Sequence, residues 1–127
     1  MALLLDTQII IWLEEDPTKI PDLIKTLITQ ELKVYFSKVS VWEMAIKLKT
    51  KKLSLMLPLE TFIDNFQRDY DFFLLDISLN HVYHTQHLPY HHRDPFDRLL
   101  IAQSLVDNIQ IISSNSIFDK YDVKRLW

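Results

Sequence analysis

Short apolar runs alternate along the chain with stretches whose apolar residues recur at three- and four-residue steps. Leu3-Leu4-Leu5 is apolar without interruption, which predicts a strand buried on both faces. A helix is expected to follow through Ile9–Leu13. Another is expected from Pro21, a residue suited to a first helical turn, carrying Leu23, Ile24, Leu27 and Ile28. Val34-Tyr35-Phe36 reads as the second strand. Ser40 is expected to open a helix with Val41, Ala45 and Leu48 on one stripe and Trp42 and Ile46 on another. Pro58 and Leu59 lead into a helix through Phe62, Ile63 and Phe66, and Phe72–Leu75 reads as the third strand.

A histidine-bearing helix is expected over about Ser78–His87. A longer one, from Pro95 to about Val106, turns Phe96, Leu99, Leu100, Ala102 and Leu105 toward a core. Asn108 is placed to supply the left-handed turn that ends it. Ile109–Ile112 reads as a fourth strand and Val123–Trp127 as a last, edge strand. Strands alternating with helices imply an α/β domain with a parallel sheet, and the length fits one domain over residues 1–127.

Ligands of open parallel sheets sit beyond the carboxyl ends of the strands. That rule directs attention to Asp6-Thr7, Asp76 and Ser113-Ser114-Asn115. Composition narrows the chemistry available there. Glycine and cysteine are both absent, although a chain of 127 residues ordinarily carries about nine glycines. A glycine-rich phosphate loop, a dinucleotide fingerprint, a Gly-x-Ser-x-Gly elbow, a thiol nucleophile and a thiolate metal site are therefore excluded. Carboxylates, histidines, hydroxyls and a hard cation remain. The net charge of −3 argues against a surface that grips nucleic acid over its whole extent, but bound cations can reverse charge locally. No apolar run approaches the roughly 18 residues of a membrane span, and no basic region precedes the first apolar residues, so a cytoplasmic protein is expected.

Each candidate site residue also has a structural reading. Asp6 is placed to cap a helix starting at Thr7, and Ser40-x-x-Glu43 has the spacing of a capping box. Lys47 and Lys51 follow Glu43 at four-residue steps, where they can pair with it, steady the helix end or touch a polyanion. Asp94 before Pro95 is an apt N-cap, whereas Asp97 lies on the same helix face and would be repelled by it without a cation. His81, His84, His87, His91 and His92 invite a zinc reading, but His81, His84 and His87 drift around a helix and no glutamate completes a His-Glu-x-x-His pattern, so the histidines are read as solvated.

Taken together, Leu-Leu-Asp6-Thr7, Ser40-x-x-Glu43 and the run His91-His92-Arg93-Asp94-Pro95-Phe96-Asp97-Arg98-Leu99-Leu100-Ile101-Ala102-Gln103 resemble the PIN domain, in particular the VapC-type toxin ribonucleases of toxin–antitoxin modules. The resemblance runs nearly end to end. It implies a three-layer α/β/α domain with a mostly parallel sheet of about five strands. It implies further that Asp6, Glu43 and Asp97 converge on one or two Mg²⁺ or Mn²⁺ ions to support RNA cleavage, with no organic cofactor. A cognate antitoxin and a homodimer are implied as partners, with no membrane. Where the family usually has a fourth acidic residue this chain has Asn115, after Ser113 in the hydroxyl position. Asn115 offers an amide oxygen without charge, and Asp94 is an additional carboxylate, so both are auxiliary candidates with Thr7 and Ser113 beside them. Lys47, Lys49, Lys51 and Lys52, or Arg93 and Arg98, are candidates for holding RNA phosphates.

Such residues suit the reaction. Hard cations take oxygen ligands, lower the pKa of a bound water and neutralise charge growing on a phosphate. The substitution at Asn115 leaves a second reading open, a PIN-fold binding or scaffold protein with little nuclease activity. A third is an α/β domain whose acidic residues only cap helices.

Overall fold

The computed structural model describes residues 2–31 and 33–127. Five strands, β1 (Ala2–Leu5), β2 (Lys33–Ser37), β3 (Phe73–Leu75), β4 (Gln110–Ile112) and β5 (Arg125–Leu126), form one sheet in the order β3-β2-β1-β4-β5. Every pairing is parallel, with Leu4 opposite both Tyr35 and Ile111. The helices are α1 (Thr7–Glu15), α2 (Asp22–Gln30), α3 (Lys38–Lys49), α4 (Leu59–Asp69), α5 (Leu79–Thr85) and α6 (Pro95–Asp107).

The unbroken apolar run in β1 is explained by its position at the centre. Side chains alternate across a strand, so Leu3 and Leu5 enter one core with Ile9, Ile24, Phe36 and Phe66, while Leu4 enters a second with Leu100, Ile101, Ile111 and Phe118. Helices α1, α2 and α4 cover the first face and α6 the second, with α5 packed along α6, giving the α/β/α layering. Phe36 and Phe66 are fully buried with ring centroids 5.2 Å apart, each side chain contributing about 2–3 kcal/mol through burial. Asn108 ends α6 at φ 55, ψ 53, the left-handed turn expected of it in a chain without glycine.

Three local expectations are corrected. Helix α3 is capped by Ser37, whose Oγ accepts from Val39 N at 3.0 Å, rather than by Ser40. Strand β2 runs through Ser37, paired with Leu75, and passes into the helix without a loop. Ser40 therefore falls one turn inside, fully buried, and the capping-box account of Glu43 lapses. The second correction concerns His81, which is 3% exposed rather than solvated. It caps α5 reciprocally with Ser78 and meets Asp107 through Nε2 at 3.0 Å, because α5 lies along α6. The third concerns Arg98, which is buried rather than presented to phosphate. Its Nη1 donates to the carbonyls of Pro89 and His92 and to the Tyr121 hydroxyl, its Nη2 to the carbonyls of Thr85 and Leu88. That fan of donors ties the segment after α5 to the start of α6.

Candidate metal centre

The carboxyl ends of β1 and β4 open onto a cleft of about 440 Å³. Asp6 stands at its floor. Its backbone N–H continues the ladder to the Ile112 carbonyl at 2.9 Å, which fixes the residue where the strand ends. Its Oδ1 accepts from Thr7 N at 2.8 Å, so the capping role is real. Its Oδ2 accepts from Ser113 Oγ at 2.7 Å, which places Ser113 behind the carboxylate rather than in the cleft. Burial raises the Asp6 pKa from 3.8 to about 7, with the charges of Asp97 and Glu43 pushing the same way and the Ser113 and Thr7 bonds opposing. A cap alone would be better served by an exposed carboxylate.

Glu43 reaches the cleft from α3 and is 4% exposed. Its Oε1 lies 2.7 Å from the Thr7 hydroxyl, which in turn lies 2.8 Å from Ser40 Oγ. With one proton to give, Thr7 donates it to the carboxylate and receives the proton of Ser40. Glu43 Oε2 is paired with the ammonium of Lys47, one turn along α3. Hydrogen bonding to Glu43 raises the Lys47 pKa, and the charges of Glu43, Asp94 and Asp97 add to the rise, so this ammonium faces the whole acidic group.

Asp97 comes from the first turn of α6. Its pKa is raised by burial, and further by Asp94 and Glu43, against the bond from His92 Nε2 to its Oδ2 at 2.8 Å. Asp94 caps α6, its Oδ1 accepting from Phe96 N at 2.8 Å and Asp97 N at 3.2 Å. Asp6, Thr7, Glu43, Asp94, Asp97 and Asn115 all line this one cleft, together with Lys47, Lys52 and His92. Asn115 is committed elsewhere, its Oδ1 accepting from Ile117 N at 3.1 Å to cap the short 3₁₀ turn Ser116–Lys120. Lys49, Lys51 and Arg93 lie outside the cleft.

Among the described residues, the set of three or more His, Asp or Glu ligand atoms lying within 4.8 Å of one another is His92, Asp94 and Asp97. Asp6, Glu43 and Asp97 share the cleft but do not pack that closely, since Glu43 is held between Thr7 and Lys47. His92 belongs to the site although the sequence reading set it among solvated histidines. Its position five residues before Asp97, ahead of a proline-started helix, was the available signal. The donor set is oxygen-rich and crowded with like charge, and two of its carboxyls are held in a raised-pKa state that a cation would relieve. It therefore fits a divalent ion of the Mg²⁺ or Mn²⁺ kind.

The PIN domain family model matches residues 3–124, and the chain belongs to that family. No curated protein matches it by sequence. Among solved structures, it resembles a chain of VapBC2 from Rickettsia felis bound to a DNA fragment from the promoter, at 14% identity and TM-score 0.74, covering 99% of this chain and 98% of that one. A chain of VapBC-1 from nontypeable Haemophilus influenzae aligns at 18% identity and TM-score 0.70, covering 99% and 97%. A chain of a toxin–antitoxin complex from Klebsiella pneumoniae aligns at 16% identity and TM-score 0.66, covering 100% and 97%. At such identities the likeness concerns the fold. No helix among the described residues is long and apolar enough to cross a membrane.

Proposed function

We propose that this protein is a divalent-metal-dependent endoribonuclease and the toxin of a toxin–antitoxin pair, acting in the cytoplasm on RNA. The observation that carries this reading is that Asp6 at the end of β1, Glu43 within α3 and Asp97 in the first turn of α6 line one cleft, where burial and mutual repulsion raise the pKa of Asp6 and Asp97. These three are assigned to hold one or two Mg²⁺ or Mn²⁺ ions, with Asp94 and Asn115 auxiliary. When bound, the metal supplies an activated water and neutralises charge on the phosphate. The chain's own residues do the rest. Ser113 and Thr7 fix the rotamers of Asp6 and Glu43. The buried strand ends behind Asp6 restrict water, which strengthens every charge interaction in the cleft. Lys47 and Lys52 line the same cleft and are placed to meet an RNA phosphate.

Two partners belong to this reading. A cognate antitoxin would cover the acidic cleft with a basic group. A second copy of the chain would cover the exposed apolar side chains Leu79, Val82 and Tyr83 on α5 and the outer face of Trp42 on α3, whose ring packs edge-to-face on Phe96.

One observation favours the alternative of a binding or scaffold protein with weak or no nuclease activity. Asn115 stands where the acidic residue is usual and is spent on a cap. The two readings part in one experiment: purified protein is incubated with single-stranded RNA in Mg²⁺, in Mn²⁺ and in chelator, beside Asp97→Asn. Cleavage that needs metal and is lost in the variant supports the nuclease. Metal-dependent cleavage that survives Asp6→Ala combined with Asp97→Asn overturns the residue assignment, and cleavage of no RNA supports the scaffold.

A further inference from the structure

We propose that His92 is itself a ligand of the divalent ion, supplying a nitrogen donor on the α6 side of the cleft and biasing the site toward Mn²⁺ over Mg²⁺. This inference rests on the metal-centre reading above and adds to it a donor of a different chemical kind. Three observations lead there. His92, Asp94 and Asp97 each offer a ligand atom, and all these atoms lie within 4.8 Å of one another. In six-coordinate geometry with donor distances of about 2.1 Å, neighbouring donors lie about 3 Å apart and opposite donors about 4 Å apart. One pair in the cluster already has that spacing, since 2.8 Å separates His92 Nε2 from Asp97 Oδ2; as a ligand, Nε2 gives up that hydrogen bond and the ring proton resides on Nδ1.

The second observation is that the backbone carrying the imidazole is held there. The His92 carbonyl accepts from Arg98 Nη1 at 3.3 Å, and the same buried guanidinium holds Thr85, Leu88 and Pro89. A histidine on a solvated loop would not need that anchorage. The third is that Asn115, the residue otherwise placed to complete the shell, has its amide oxygen committed to Ile117 N. Both bonds to Asp94 fall on Oδ1, so its Oδ2 carries no hydrogen bond among the described residues.

A nitrogen donor changes which ion the site prefers. Mg²⁺ takes oxygen almost to the exclusion of nitrogen, whereas first-row transition ions accept imidazole alongside carboxylate.

The test is Mn²⁺ binding to the purified protein, read by the loss of the free Mn²⁺ EPR signal and by pulsed EPR for coupling to ¹⁴N. Wild type is expected to show ¹⁴N coupling that becomes ¹⁵N coupling when its histidines are ¹⁵N-labelled. In His92→Gln the coupling is expected to vanish and the Mn²⁺ affinity to fall at least about tenfold, with Mg²⁺ affinity changed far less. Mn²⁺ bound stoichiometrically without nitrogen coupling in wild type overturns the inference whether or not the variant folds, and leaves the metal-centre reading standing. Coupling that persists in a folded His92→Gln protein overturns it equally. Failure of Mn²⁺ to bind at all, or binding unaffected by Asp97→Asn, overturns both.

Discussion

Replacing Asp6 by Asn removes a charge that the metal-free fold accommodates poorly, and the cost can be worked from its environment. The carboxyl ionises at 3.8 when solvated and at about 7 in its buried place over the sheet. At about 1.4 kcal/mol per pH unit, holding the ionised form in the metal-free fold costs about 4 kcal/mol at pH 8. The sign follows from proton binding. Between pH 3.8 and about 7 the folded protein holds a proton that the unfolded chain has released, so Asp6 lowers stability progressively as pH rises through that window, with no further change above it. Asn carries no such charge and can still accept from Thr7 N. In chelator, Asp6→Asn should match wild type near pH 4 and exceed it by about 1.5 kcal/mol at pH 5 and about 4 kcal/mol at pH 8. Relief of the repulsion on Asp97 adds to the gap in the same direction. Urea denaturation at each pH measures it. Mn²⁺ at a thousandfold excess over Kd should close the gap at pH 8, since wild type then gains about 4.1 kcal/mol and the variant gains little. A gap that does not vary with pH, or a variant less stable than wild type throughout, refutes the reasoning and returns Asp6 to the role of an ordinary cap.

Three further outcomes are expected. Lys47→Met removes the ammonium that occupies Glu43 Oε2; for a half-exposed pair worth about 0.5–1 kcal/mol, Mn²⁺ should bind about two- to fivefold more tightly by calorimetry. Arg98→Lys leaves several buried carbonyls without donors and should cost at least about 3 kcal/mol, lowering Tm by about 10 °C in a thermal melt. Trp42→Glu places a charge on the exposed apolar side of α3 and should convert a dimer to a monomer by light scattering without lowering Tm by more than a few degrees.

The layers of the fold were legible because the central strands advertise double burial: Leu3-Leu4-Leu5 and Ile111-Ile112 have no polar face to show. That Asp6, Glu43 and Asp97 would line one cleft was legible for a related reason, since each is a carboxylate next to, or within, a stretch otherwise committed to the core. What could not be read locally was partnership over distance. Ser37 and Ser40 offer equivalent hydroxyls three residues apart, and only the pairing of Ser37 with Leu75 decides which caps α3. Arg98 follows Asp97 in sequence and looks equally exposed, yet its acceptors come from the segment 85–92 and from Tyr121, positions that meet it only once α5 lies against α6. His92 was obscured by its four companions, because composition weighs five histidines alike whereas one faces Asp97, another is sealed against Asp107, and His91 is exposed.

The order of the strands also governs when the cleft can exist during synthesis. Strand β1 is made first, yet its neighbours are residues 33–37 and 110–112, so Leu3 waits for Gln110, 107 positions later. At about 5–20 residues per second, about 5–20 s separate the translation of Asp6 from that of Ile112. Through that interval a nascent chain holds its first carboxylate without the ladder that aims it or the helix that brings Asp97 beside it. The fold thus withholds its acidic centre until the fourth strand has joined the first.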